Sequence, residues 1–153
     1  MIDRFGNINT TVIGEWDHPT ARLPGSGGAN DIGSLCHRTI IIMRQDKRKF
    51  LERVNFITTP GYLDGLGARE RAGLPKNSGP YRVITQLGMY GFDEATKQLK
   101  LLGLHPSVTL EDVHANSALD ILISEKLETT EPPTAEERRI LHEIDPAGMV
   151  IGK

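Results

Sequence analysis

The chain has 153 residues, 38% of them hydrophobic and 25% charged, which suits one soluble globular domain over 1–153 with a sizeable core. A net charge of −2 and a pI near 6.2 give no reason to expect nucleic acid, and the one basic run, Lys47-Arg48-Lys49, reads as a solvated face. The single cysteine, Cys36, excludes an intramolecular disulfide and reads as a small buried hydrophobe in a reducing, cytoplasmic setting. The longest apolar stretch, Ile40-Ile41-Ile42-Met43, is far too short to cross a bilayer of about 30 Å, so no membrane partner is expected.

In chain order, Thr10 to Ile13 is short and β-branched and predicts a strand. Trp16-Asp17-His18-Pro19 reads as a turn with the ring packed over it, stacking on an adenine being the other use of that ring. Next comes Leu23-Pro24-Gly25-Ser26-Gly27-Gly28-Ala29-Asn30-Asp31-Ile32, whose glycines free the backbone to approach a ligand just before a helix through Ile32, Leu35 and Cys36. Such a run is either an anion or oxyanion cradle, with backbone N–H groups converging on one point, or a plain turn. Asp31 is expected to cap the helix rather than to act in catalysis.

Thr39 to Met43 predicts a central strand covered on both faces, and Val54 to Thr58 predicts another. Residues 62–80, rich in Gly and Pro, predict a long loop. Its Arg69, Arg71 and Lys76 are either solvated or aimed at cofactor phosphates or a partner subunit, with simple disorder of the loop as the remaining reading. Tyr81 to Leu87 and Lys97 to Leu102 predict a hairpin at a sheet edge, turning over Gly91 to Thr96. Thr109-Leu110-Glu111-Asp112 and Thr134-Ala135-Glu136-Glu137 are capping boxes that start two helices. In the second, Ile140, Leu141 and Ile144 should be buried, with Glu136, Arg139 and Glu143 left for water. Leu119 to Ile123 supplies one more strand between them, and His105-Pro106 marks a turn.

The five histidines have no metal-ligand spacing and no cysteine companions, so no metal site is expected. Nor is there a G-x-S-x-G elbow for a serine nucleophile.

The order of blocks is more specific than any one of them. Asp3-Arg4-Phe5-Gly6-Asn7-Ile8-Asn9, then Gly25-Ser26-Gly27-Gly28-Ala29-Asn30-Asp31, then Lys47 to Tyr62, Tyr81 to Thr85 and Leu104 to Val113 together cover nearly the whole chain. This pattern resembles the family I CoA-transferases, and within them the beta (B) subunit of glutaconate CoA-transferase and its relatives. The resemblance implies an α/β fold with an open mixed sheet and flanking helices of the CoA-transferase type. It also implies acyl-CoA chemistry on a carboxylic acid, of glutaconate or 3-oxoacid type, shared with an alpha subunit in an oligomer. Coenzyme A thioester would be the substrate, with no permanently bound cofactor.

In that family CoA moves through anhydride and thioester intermediates on a glutamate, and each tetrahedral species places negative charge on a former carbonyl oxygen. The resemblance makes Gly27 and Gly28 oxyanion donors within a Gly25, Ser26, Gly27, Gly28, Ala29, Asn30 loop that meets the thioester end of CoA. It makes Asn7 and Asn9 carboxamides that position the reacting carboxyl group, although both also suit Asx turns. The family's glutamate segment lies upstream of the block that starts here at Asp3, and no other glutamate substitutes for it. A truncated chain, a missing half supplied elsewhere, or a hydrolase working without that carboxylate are the three readings left. The chain alone is therefore expected not to transfer CoA. The alternatives are an acyl-CoA hydrolase subunit of the same family and a non-catalytic CoA-binding or assembly module.

Overall fold

The computed structural model describes residues 1–150, so residues 151–153 of the single-domain span lie outside the described residues. Its largest sheet has five strands: β4 (Arg38–Ile42), β6 (Gly79–Ile84), β7 (Gly88–Phe92), β8 (Leu99–Leu104) and β9 (Leu122–Thr129), in that spatial order. β4 runs parallel to β6 and β8 parallel to β9, while β6, β7 and β8 form an antiparallel meander. The mixed α/β sheet expected from the resemblance is therefore present. Two small ladders complete the strands: β1 (Ile2–Asp3) parallel to β5 (Phe50–Leu51), and the hairpin β2 (Val12–Gly14) with β3 (Pro19–Arg22).

The core lies where the meander meets β1 and β5. Ile2, Phe50, Val83, Tyr90, Leu99 and Leu101 are fully buried, and Val113 of helix α3 (Leu110–Ala115) joins them with Leu119 and Ile121. The Phe50 and Tyr90 rings meet at 5.8 Å and 54°. Burial pushes the Tyr90 hydroxyl up to about 12, and that hydroxyl donates to Gln45 Oε1 at 2.6 Å. Gln45 also donates to Ser117 Oγ at 2.9 Å, which ties the sheet to the end of α3. Helix α3 and helix α4 (Ala135–Ile144) both start at the expected capping boxes, with the reciprocal side-chain to backbone bonds of Thr109–Asp112 and Thr134–Glu137 in place.

Several expectations are corrected. β4 is not central: it is an edge strand whose second side is unpaired among the described residues, leaving Ile40 59% and Ile42 79% exposed. Val54 to Thr58 forms no strand, and the next residue, Thr59, makes only an isolated bridge with Ile8. Gly88–Phe92 is an additional strand, so the predicted edge hairpin is a three-stranded meander in the middle of the sheet. The strand expected at Leu119 to Ile123 starts at Leu122 and runs on to Thr129.

Cys36 is exposed at the end of its helix, not buried. Helix α4 buries no residue among the described ones, and Ile140, Leu141 and Ile144 face outward. The 62–80 loop contains the one-turn helix α2 (Ala68–Arg71) and hands over to β6 at Gly79. Among the described residues no helix is long and apolar enough to cross a membrane.

Candidate functional site

The glycine run leads directly into helix α1 (Ala29–Leu35), one residue earlier than Asn30-Asp31 suggested. Gly28 is the N-cap and makes no side-chain bond, so Asp31 lies in the first turn but does not cap. Gly25 and Gly27 have φ of +92° and +51°, in the left-handed region that favours glycine, while Gly28 has an ordinary φ of −82°. A Cβ at Gly25, Gly27 or Gly28 would meet no atom within 4 Å, so the space over the loop is open. Gly27, Gly28, Ala29 and Asn30 are exposed, and Gly25 and Ser26 are half-buried.

The Ser26 hydroxyl donates to Gly27 O at 3.0 Å and Ser26 O accepts from Ala29 N at 3.0 Å, closing a turn. The N–H groups of Gly27 and Gly28 have no hydrogen-bond partner among the described residues. They are the free donors of the turn.

The loop stands on residues far from it in sequence. Leu23 N donates to Thr11 O at 2.9 Å and Gly25 N to Thr10 O at 2.8 Å. Thr58 Oγ1 accepts from Thr10 N at 2.9 Å and lies 2.8 Å from Thr11 Oγ1, while Thr58 O accepts from Asn30 Nδ2 at 2.6 Å. Thr58 thus holds both ends of the glycine run. Nothing local marks it, because the contacts cross 28 and 48 residues of sequence. Beneath it, the hydroxyls of Thr10 and Thr59 are buried with no partner among the described residues.

Asn7 and Asn9 are completely buried, and all of their amide atoms bond within the chain. Asn7 Nδ2 donates to Asp3 Oδ2 at 3.0 Å and to Leu63 O at 2.9 Å, and its Oδ1 accepts from Gly61 N at 2.9 Å and Leu63 N at 3.0 Å. Asn9 Oδ1 accepts from Thr11 N and Val12 N, closing an Asx turn, and its Nδ2 donates to Val12 O and Asn55 Oδ1. Both carboxamides fold the segment that carries Thr10 and Thr11 under the glycine run. The Asp3 carboxyl below them is pushed above its ordinary range by burial, and bonds from Asn7 and the N–H groups of Phe5 and Asn7 pull it back only in part.

Beside α1 is a cleft of about 250 Å³, with Ile8, Ile32, Ile40 and Ile42 on its apolar walls, Ala29 and Gly33 on its helical side and Thr59 beside them. Among the described residues, no glutamate and no charged residue lines it. Arg69 is not available to a ligand: it is 2% exposed and bonded throughout to its own chain, whereas Arg71 and Lys76 are exposed. Trp16 stacks on Phe56 at 5.3 Å with the Arg22 guanidinium 4.4 Å over its ring. The His105 ring bridges Thr130 Oγ1 at 2.7 Å and Thr85 O at 2.9 Å, a tie between β9 and the β6 end. Among the described residues no three His, Cys, Asp or Glu side chains gather as a metal site.

A family model described as coenzyme A transferase matches residues 1–116. The beta (B) chain of glutaconate CoA-transferase from Acidaminococcus fermentans is 43% identical over 151 residues, covering 99% of this chain and 56% of the relative. The corresponding beta chain of 3-oxoadipate CoA-transferase from Pseudomonas knackmussii is 38% identical over 145 residues, covering 95% of this chain and 55% of the relative. The crystal structure of the Acidaminococcus glutaconate CoA-transferase superposes with a TM-score of 0.91 at 41% identity, over 99% of this chain and 58% of that one. The chain thus spans little more than half the length of these relatives.

Proposed function

This chain belongs to the coenzyme A transferase family, and from that we propose that it is the part of a beta subunit that receives the acyl-CoA thioester while CoA passes between carboxylic acids. It works with an alpha subunit in an oligomer, as the names of its relatives suggest. The substrates proposed are a CoA thioester and a dicarboxylate of the glutaconate or 3-oxoadipate type.

One observation carries this reading: the two free N–H groups of Gly27 and Gly28 lie at an open turn that runs straight into Ala29, which lines an apolar cleft. Attack on a thioester or anhydride carbonyl turns its oxygen into an oxyanion. Fixed donors that need not reorganise stabilise that charge more than they stabilise the neutral carbonyl, which lowers the barrier. In this mechanism the Gly25, Ser26, Gly27, Gly28, Ala29 and Asn30 loop binds the thioester end of CoA, and Gly27 and Gly28 donate to the oxyanion. Asn7 and Asn9 act from below by fixing the backbone on which the loop rests. Among the described residues no carboxylate lines the cleft, so the covalent glutamate is assigned to the rest of the assembled enzyme.

Gly28→Ala tests the loop cleanly, because its φ is ordinary and the added methyl meets nothing within 4 Å. Alanine keeps the N–H donor but places a methyl in the open space where the thioester would lie, so with the proposed alpha subunit present the unfolding midpoint should hold while CoA transfer falls about tenfold or more, the scale on which one misplaced carbon is felt in a binding site. Transfer at the parental rate in Gly28→Ala would remove the loop from the mechanism.

A further inference from the structure

The least expected side chain in the molecule is Arg69. It is 2% exposed, yet no carboxylate pairs with it among the described residues. A buried cation is costly unless its donors are all met, and here neutral acceptors meet them. Nη1 donates to Pro60 O at 3.1 Å and Gly61 O at 2.8 Å. Nη2 donates to Gly33 O at 3.0 Å, Ser34 O at 3.2 Å and Ser78 Oγ at 2.9 Å, and Nε donates to Ser78 Oγ at 3.3 Å. Ser78 in turn donates to Pro75 O at 2.6 Å, which fixes the far side of the guanidinium.

Gly33 and Ser34 lie in the last turn of α1, where carbonyls have no partner within the helix and the helix dipole is negative. Arg69 therefore caps the C-terminal end of α1 from 35 and 36 residues away. That matters because α1 has only seven residues, Ile32 and Leu35 on it are exposed, and Gly33 is its only buried residue. Neither propensity nor apolar packing can hold so short a helix. Its position rests on polar ties: Asn30 to Thr58 O at one end and Arg69 at the other, both gripping the 58–61 segment.

We infer that Arg69 is a positioning residue for the glycine loop: it fixes α1 from its C-terminal end and so holds Gly27 and Gly28 in register with the acyl-CoA carbonyl. This rests on the oxyanion role proposed for the loop, but the mechanical half of it is measurable without any activity. Lysine keeps the charge at this site but reaches too few of the acceptors to replace a planar fork of five N–H groups.

The test uses Arg69→Met, Arg69→Lys and, as a control for plain destabilisation, Tyr90→Phe in the sheet core. Amide hydrogen exchange is read first. Arg69→Met should speed exchange of the α1 amides at least about tenfold more than those of β6 to β8, the pattern of a local opening added to any global one. In the full-length protein paired with its alpha subunit, with acetyl-CoA as donor and glutaconate as acceptor, kcat should then fall on the order of 10²-fold in Arg69→Met, as misplacement of a reacting group by an ångström predicts. Arg69→Lys should recover part of this loss, and Tyr90→Phe should keep the parental kcat at a comparable shift in unfolding midpoint.

Exchange that quickens uniformly, or not at all, overturns the inference, as does faster α1 exchange with unchanged CoA transfer. If the parental enzyme transfers no CoA, the loop's catalytic reading falls, and selective loss of α1 protection in Arg69→Met still supports Arg69 as the residue that holds α1 in place.

Discussion

Replacing Asn7 by aspartate is expected to cost most of the protein's stability at neutral pH, and far less under acid conditions. The substitution barely changes the side chain's shape but puts a second carboxylate where the buried Asn7 Nδ2 sits 3.0 Å from the buried Asp3 Oδ2 and 2.9 Å from the half-buried Leu63 O. Two donors vanish, and a buried acceptor left unpaired costs about 1–3 kcal/mol, more when charged. The pair cannot both ionise at that separation, so one must hold a proton.

The sign of the pH dependence follows from Asp3, whose carboxyl is already raised above 3.8 by burial. A carboxyl that binds its proton more tightly folded than unfolded is most favourable to the fold below its unfolded value. The fold loses that advantage as pH rises through the folded value. Asn7→Asp enlarges that gap, so urea midpoints measured from about pH 4 to pH 8 should fall with rising pH, steeply in the variant and gently in the parent. A variant whose midpoint is flat or rises across that range would mean that Asn7 does not lock the turn through Asp3.

Gly61→Ala is the second large effect, and its cause is steric. A Cβ at Gly61 would sit 2.2 Å from Gly6 C, 2.4 Å from Gly6 O and 2.4 Å from Phe5 O, all backbone atoms with no side chain to rotate away. The same residue donates its N–H to Asn7 Oδ1 and accepts from Arg69, so moving the backbone breaks the supports of the loop as well. A loss of about 4 kcal/mol or more is expected, which is a large share of the roughly 5–15 kcal/mol that holds a typical domain together. Gly73→Ala makes the comparison: its φ of +82° costs about 1 kcal/mol of backbone strain, but its Cβ meets nothing within 4 Å. Equal midpoints for the two variants in thermal unfolding would show that the close approach of 61 to 5–6 carries no such weight.

What could be read from the sequence was local. The Thr109 and Thr134 capping boxes act over three residues, and both helices start where they say. The glycine run announces a permissive backbone through its own composition, and Gly25 and Gly27 do take positive φ. By contrast, the apolar run Thr39 to Met43 looks alike in a central strand and at an edge, and only the pairing of β4 with β6 alone tells them apart. Gly88-Met89-Tyr90-Gly91-Phe92 hid a strand because glycine reads as a turn. Gly88 is there because a Cβ would sit 2.4 Å from Gly103 O of the neighbouring strand.

The glycine loop itself was legible from sequence, but its supports were not. Thr58 and Arg69 carry no pattern of their own, and each acts on α1 across 28 to 36 residues. Arg69 in particular sits among glycines and prolines in a segment whose charges suggest water, until the carbonyls of Gly33, Ser34, Pro60 and Gly61 converge on it.

Whether the protein transfers CoA to a carboxylate, as proposed, is tested most directly by the product partition. The protein, together with the alpha subunit proposed for it, is given acetyl-CoA and glutaconate, and glutaconyl-CoA, acetate and free CoA are followed together. Glutaconyl-CoA and acetate should form in equal amounts with little free CoA. Acetate and free CoA in equal amounts, with no glutaconyl-CoA, would contradict the transfer reading and make the protein a thioester hydrolase.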